Sequence, residues 1–173
     1  MQLETPRLIL RPWTLADAPF YERMSQDIGY NCFVPPGIYL ARDRSEVLAK
    51  IQQRIDTYSQ HAIGKWPIFR KSDGVFLGTA GADLFDFEGQ RQLELGYRLL
   101  LEHWEQGYAT EAAGAVLAYL FNSLKAQSVF GFAVAQNKGS IRILQKLGFR
   151  YRQPMDHGGF EHQLYEARGL TEL

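Results

Sequence analysis

Residues 94–113, ELGYRLLLEHWEQGYATEAA, constrain the fold more than any other stretch of the chain. An alternating apolar run leads into a short turn around Gly107 and then, with no further linker, into a helix start. The orphan N–H groups of a first helical turn and the positive end of its dipole favour an anion at such a junction. Gln106, Gly107, Tyr108, Ala109 and Thr110 form the turn. Gly107 supplies the conformational freedom and close backbone approach that a side chain would block. The same pattern also describes an ordinary strand-turn-helix connection, and the flanking segments decide between the two.

Upstream, Leu8 to Leu10 lies between Thr5-Pro6 and Pro12 and reads as a first strand. TLADAPFYERM is a helix start, with Thr14 or Asp17 as N-cap and Pro19 tolerated in the first turn; this helix is expected to end before Gly29. Residues 29–42 hold Pro35, Pro36 and Gly37 among Tyr30, Phe33 and Tyr39. They read as a loop, either a wall of a substrate pocket or a segment pinned to the core. Val47, Leu48, Ile51, Ile55 and Tyr58 recur at helical spacing. Residues 65–70, 75–85 and 92–99 are three antiparallel strands, joined by turns at Ser72-Asp73-Gly74 and across 86–91. In the third, Leu93, Leu95, Tyr97 and Leu99 share one face and Gln92, Glu94, Gly96 and Arg98 the other, a parity that a bulge would break.

Downstream, Ala113, Val116, Leu117, Leu120, Phe121 and Leu124 mark a helix packed on a sheet, and residues 128–134 a buried strand. Asn137 caps a last helix that turns Ile141, Leu144 and Leu147 inward and stops at Gly148 before Phe149. Two strands around Asp156-His157-Gly158-Gly159 end the pattern. The order predicts one α/β domain over residues 1–173. Its sheet is mixed and mostly antiparallel, with helices on both faces. The helix between the fourth and fifth strands is a crossover, so those two run parallel and a cleft is expected where they part.

Lys plus Arg and Asp plus Glu both number 19, which argues against a polyanion-binding surface built on net charge; no direct nucleic-acid partner is expected. The single cysteine, Cys32, excludes an internal disulfide framework and a CxxC pair. Glu4 and Arg7 interrupt the N-terminus before an apolar block can form, and the apolar helical stretch 112–121 is far short of the roughly 20 residues of a membrane span. A cytoplasmic protein without a membrane partner is expected.

Four blocks in order, TPRLILRPWTLADA, ELGYRL, WEQGYATEA and NKGSIRILQKLGF, resemble the GNAT N-acetyltransferases, and more closely the branch of ribosomal-protein Nα-acetyltransferases. The likeness covers nearly the whole chain. It implies acetyl-CoA as donor and a primary amine as acceptor, either a protein N-terminus or a small molecule, in a monomer or homodimer. It implies that the backbone of Gln106, Gly107, Tyr108, Ala109 and Thr110 holds the coenzyme pyrophosphate. Arg98 and Leu99 would then pair with the pantetheine arm between splayed fourth and fifth strands, where a β-bulge would free an N–H for the thioester carbonyl. Asn137 matches the family asparagine near the pantetheine. Two positions depart from the pattern. Glu105 brings a charge toward the diphosphate and is expected to point to solvent; Leu144 stands where many relatives carry a tyrosine that protonates the thiolate.

Acetyl transfer needs a neutral amine, orientation at the thioester carbon and a proton for the departing thiolate. Ser140 matches the serine that serves as that proton donor in some ribosomal-protein acetyltransferases; otherwise it is a polar residue of a first helical turn. Glu94 is either a base for the amine or one half of a cross-strand ion pair. Tyr97 and Tyr108 read as packing, His103 as a surface residue, and Glu161 as a second acidic candidate behind Glu94. His61, His157 and His162 are scattered and show no metal-ligand spacing, so no metal is expected. No Ser-His-Asp grouping is visible, which favours direct attack. The missing tyrosine motivates an alternative, an acyl-CoA-binding or regulatory module without turnover. A dinucleotide-binding domain would need a GxGxxG fingerprint that the chain lacks.

Overall fold

Alternation interrupted by proline and glycine sets the first half of the architecture. The computed structural model describes residues 2–34, 40–41 and 43–169. Leu3–Glu4 (β1) and Leu8–Leu10 (β2) precede three helices, Ala18–Gln26 (α1), Ile28–Asn31 (α2) and Arg44–His61 (α3). Lys65–Arg70 (β3), Phe76–Phe87 (β4) and Gln90–Leu99 (β5) then form the middle of the sheet. Tyr108–Asn122 (α4), Ser128–Ala133 (β6), Lys138–Lys146 (α5), Arg150–His157 (β7) and Phe160–Arg168 (β8) follow. The strands lie in the order β1-β2-β3-β4-β5-β6-β8-β7, and the one parallel neighbour pair among them is β5 with β6.

Local chemistry explains the helix ends. Asp17 accepts from the Thr14 N–H at 2.8 Å and binds Arg11 through two contacts of 2.7 Å, so TLAD closes a turn on itself and Pro19 falls in the first turn of α1. Asp43 caps α3 by accepting from Glu46 N–H at 2.9 Å. Asn137 caps α5, and Gly148, at φ 86°, ends it with the Phe149 N–H bonded to the Leu144 carbonyl at 3.0 Å.

Three expectations change. The chain after α1 does not go straight into a loop: Asp27 caps the short α2 by accepting from Tyr30 N–H at 2.8 Å, and Tyr30 is buried with its hydroxyl 2.6 Å from that of Thr79. Pro35, Pro36, Gly37 and Tyr39 of the expected loop lie outside the described residues. The β4–β5 turn is tighter than predicted, since only Glu88 (φ 51°) and Gly89 (φ 75°) intervene, both left-handed as a two-residue hairpin turn requires. β1 is also additional; two residues carry no periodicity to read.

Neighbouring strand residues divide between two apolar clusters, one on each face. Ile68 and Leu77 join Leu95, Leu99, Ala112, Val116, Ile141 and Leu144 beneath α4 and α5. Phe69, Phe76 and Leu100 join Tyr21, Met24, Tyr30 and Ile51 beneath α1 to α3. Along β5 the alternation is unbroken, because Leu93, Leu95, Tyr97 and Leu99 meet the first cluster and Leu100 the second. Its register with β4 also runs one for one from Gly78–Leu99 to Phe87–Gln90.

The bulge anticipated in β5 is therefore absent there, and it lies one strand away. Ile68 pairs with Gly78 and Phe69 with Phe76, which leaves Leu77 as the extra residue of β4. Gly78 takes φ 144°, and a Cβ on it would fall 2.2 Å from the Arg98 carbonyl oxygen and 2.7 Å from Leu99 Cα. Gly78 thus lets β4 lie against the end of β5. Gly78→Ala is expected to cost about 2 kcal/mol or more through strain and overlap, read as a lower urea midpoint with an unchanged slope.

Candidate active site

β5 and β6 share one register position, Glu94 opposite Phe130, and separate beyond it. The Leu100 N–H donates to the Leu77 carbonyl at 2.9 Å. Alternation then turns the N–H of Arg98 toward β4 as well, while Tyr97 and Leu99 turn theirs into the opening. Of the two expected backbone positions, Leu99 faces the opening and Arg98 does not; Tyr97 takes its place. The Leu99 carbonyl accepts from Trp104 Nε1 at 3.0 Å, which ties the following turn to the strand.

That turn delivers α4. Gly107 is its N-cap at φ 80° and ψ −2°, without a side-chain cap, and the Glu111 N–H to the Gly107 carbonyl at 3.1 Å opens the helix. Helix geometry leaves the N–H groups of Tyr108, Ala109 and Thr110 without an intrahelical acceptor. Glu105, at φ 60°, is exposed as expected. Gln106 is exposed and donates from Nε2 to the Glu102 carbonyl at 3.0 Å.

A clamp from the turn between β1 and β2 fixes the junction. Glu111 accepts from Thr5 Oγ at 2.5 Å, from the Arg7 N–H at 2.9 Å and from Arg7 Nε at 2.6 Å. Arg7 Nη1 donates to the Gln106 carbonyl at 3.0 Å, and its guanidinium lies 4.4 Å from the centre of the Tyr108 ring. Partial burial opposes ionisation of Glu111, but Thr5 and Arg7 outweigh it and hold the carboxyl below its ordinary range. Tyr108 is itself buried, so its side chain packs, as read from the sequence.

On the α4 and α5 face the opening meets two hydroxyls. Asn137 Oδ1 accepts from the Ser140 N–H at 3.0 Å, which satisfies that backbone group and leaves the serine hydroxyl to other partners. Tyr97 Oη donates to the Ser140 carbonyl at 2.9 Å and lies 3.1 Å from Ser140 Oγ. The phenol has one proton, already given to the carbonyl, so Ser140 is the donor in the second contact. Burial pushes the Tyr97 phenol up, the Glu94 charge adds to this and the Ser140 bond opposes it; the group stays neutral. Tyr97 therefore does more than pack. Leu144 is buried in the space left by Gly131, where a Cβ would come 2.6 Å from Leu144 Cδ2.

The opposite face carries charge. Glu94 is buried and pairs with Lys65 Nζ at 2.5 Å, while Asp83 Oδ2 lies 3.6 Å from the same ammonium. Of the two readings of Glu94, this geometry is the ion pair. Lys65 rests over Gly96, whose Cβ would overlap Nζ at 1.9 Å. Glu94, Asp83, Phe85, Phe132 and His157 line a cleft of about 420 Å³. His157 and His162, far from obvious as partners in sequence, have ring centres 5.8 Å apart. His103 is buried, not superficial, and burial pulls its imidazole below the usual histidine range. Glu161 is exposed and pairs in register with Asp156, outside the cleft lining.

Among the described residues no group of three or more His, Cys, Asp or Glu could hold a metal ion, and no helix is long and apolar enough to cross a membrane.

A mixed sheet splayed at one parallel pair, with a glycine-led helix beside the gap, defines an acyltransferase class of site. The family model of the acetyltransferase (GNAT) domain matches residues 7–150, and the chain belongs to that family of N-acetyltransferases. The N-acetyltransferase YoaA of Bacillus subtilis is 30% identical over 149 residues, covering 86% of this chain and 82% of YoaA. A GNAT-family acetyltransferase from Bordetella pertussis superposes with a TM-score of 0.77 at 24% identity, over 96% of this chain and 98% of its own. The ribosomal-protein α-N-acetyltransferase RimL, solved with coenzyme A, superposes with a TM-score of 0.83 at 13% identity over 98% of each chain.

The Thr5–Arg7–Glu111 clamp has no short-range signal; its one local sign is that Glu111 is an acid in the first turn of α4. Glu111→Gln is expected to cost about 1–3 kcal/mol through its charge-assisted bonds. Because the folded carboxyl is depressed, its stabilisation is present above the unfolded value of about 4.3 and is lost as pH falls through the lower folded value. Urea midpoints of wild type and variant should therefore differ at neutral pH and converge as pH falls below about 4.

Proposed function

We propose that the protein transfers an acetyl group from acetyl-CoA to a primary amine by direct attack on the thioester. The observation that carries this reading is the gap between β5 and β6, which has backbone N–H groups on one strand, a hydroxyl pair on one face and carboxylates on the other.

The residues present fit the coenzyme. Gly107 at φ 80° leaves its side clear, whereas a Cβ there would lie 3.3 Å from Arg7 Nη2. The N–H groups of Tyr108, Ala109 and Thr110 suit a diphosphate, with Gln106 and Gly107 shaping the approach. Tyr97 and Leu99 offer strand edge to the amides of the pantetheine arm, and Arg98 supports them from the β4 side. Asn137 holds Ser140 in place. Acetyl-CoA supplies the activated acyl group, a thioester that an amine can attack.

The amine loses its extra proton to solvent and attacks with the nitrogen lone pair, the carbon–sulfur bond breaks and the sulfur leaves with the electron pair, and the nitrogen sheds one more proton to solvent as the amide forms. We assign Ser140 to meet that sulfur by turning its hydroxyl proton from Tyr97 to the departing thiolate and taking a proton back from solvent, with Tyr97 neutral behind it. Glu94, committed to Lys65, serves by fixing charge beside the incoming amine. A thiol acidity near 8.5 makes the thiolate a tolerable leaving group, so positioning supplies much of the acceleration. The likeness to RimL supports a protein N-terminus as one acceptor, and a small amine is the other. A cytosolic setting, where Cys32 stays reduced, suits the reading.

Buried Leu144 favours one rival, a module that binds acyl-CoA without turnover. Thiol release with a panel of amines separates the two: release at any amine removes the rival, and tight acetyl-CoA binding with no release at any amine removes transfer. Ser140→Ala is expected to lower kcat about tenfold to a hundredfold with coenzyme Kd within about twofold. Unchanged kcat would return Ser140 to a helix-end role. Gly107→Val should raise the acetyl-CoA Kd by about tenfold or more in calorimetric titration, since valine tolerates neither the left-handed backbone nor the space; retained affinity would move the diphosphate elsewhere.

A further inference from the structure

Six aromatic rings gather on the Glu94 face of the sheet, apart from both apolar clusters. Phe85 and Phe87 of β4, Phe130 and Phe132 of β6, His157 of β7 and His162 of β8 make successive ring contacts with centres 4.6 to 6.1 Å apart. Phe85 and Phe132 are only partly buried, and both line the cleft of about 420 Å³ that also holds Glu94 and Asp83. That volume is the size of a small-molecule site. Thr57 and His61 at the end of α3 bound one side, and His157 at the β7–β8 turn bounds another.

Two carboxylates beside the rings suit a primary ammonium, and Arg91, which also lines the cleft, has its guanidinium 3.5 Å from Asp86. One ammonium is already there: Lys65 Nζ sits 2.5 Å from Glu94 and 3.6 Å from Asp83. Asp83 keeps 53% of its side chain exposed, so it can accept a second ammonium from the cleft. The rings favour the same charge through their faces. Packing against Phe132 and the nearby His162 pull His157 below the usual histidine range, Lys65 adds to this, and Glu94 and Asp156 oppose it. The imidazole thus meets a cation uncharged at neutral pH.

We propose that this cleft is the acceptor site and that the acceptor is a small primary amine bearing an aromatic ring, its ammonium beside Asp83 and Glu94 and its ring against Phe85, Phe132 and His157. The assignment rests on the acetyl-transfer reading for its chemistry, but the cleft and its rings stand independently of it. The gap between β5 and β6 starts at the Glu94–Phe130 pair, so the cleft adjoins the place where the strands part.

The test compares 2-phenylethylamine, hexylamine, spermidine and a serine-initiated tetrapeptide by thiol release. 2-Phenylethylamine is expected to exceed hexylamine about tenfold in kcat/KM. Phe132→Ala should reduce that preference to about twofold, with the KM for acetyl-CoA unchanged; Phe85→Leu gives the same test should the first variant fold poorly. Asp83→Asn should raise KM for the aromatic amine about fivefold. Preference for spermidine or the peptide, or a preference indifferent to these variants, overturns the inference and leaves acetyl transfer standing. Without turnover, titration of wild-type protein with 2-phenylethylamine is read at the His157 and His162 imidazole signals. Saturable shifts support the cleft, and none at millimolar amine overturns it. Loss of the transferase reading appears separately, as failure to bind acetyl-CoA in calorimetry.

Discussion

The pairing of Glu94 with Phe130 holds the two halves of the sheet side by side at one point, and the rest of the site depends on its not extending further. Each strand is secured from its outer side. β5 keeps an uninterrupted antiparallel register with β4 from Gly78 to Phe87, and β6 keeps one with β8 from Ser128 to Ala133. The inner edges can therefore part without unfolding either half. Strand edges that part leave N–H and C=O groups that need other partners. A ligand arm carrying amides meets that need, which links the geometry of the gap to the kind of molecule it admits.

The gap also divides the chemistry between faces. On the α4 and α5 face, Asn137 settles the helix end and Tyr97 holds Ser140, so the serine is set by two independent bonds. On the other face, Lys65 and Glu94 place fixed charges under α3 and beside the aromatic rings. Gly96 permits this, because any side chain there would displace the Lys65 ammonium. The two faces of one strand edge thus carry different groups, hydroxyls on one and charges on the other.

Local signals were legible and distant ones were not. Asn137 as a cap, Gly148 as a stop, and the parity of Leu93, Leu95, Tyr97 and Leu99 each follow from spacings within one element, and the structure keeps all of them. The parallel neighbours follow from the crossover helix. The Tyr97–Ser140 contact spans 43 positions and the Arg7–Glu111 pair 104, and no periodicity encodes such a meeting. The bulge shows the limit more sharply. The resemblance places it in β5, but the extra residue sits in β4, where Gly78 reads equally well as an ordinary strand glycine.

Leu144 shows how packing decides what one turn of α5 can carry. Gly131 leaves a hollow on β6, and Leu144 fills it to join the core. A polar group at that turn of α5 would have to abandon the hollow or bury an unpaired hydroxyl, at a cost of about 1–3 kcal/mol. The first turn of α5 is under no such constraint, since Asn137 has already satisfied the Ser140 backbone. Tyr97 reaches it from β5, with the aromatic body in the core and the phenol at the gap. Packing at Leu144 and hydrogen bonding at Ser140 are thus two sides of one arrangement, in which the helix turns an apolar side chain into the core and meets a tyrosine of the sheet one turn earlier.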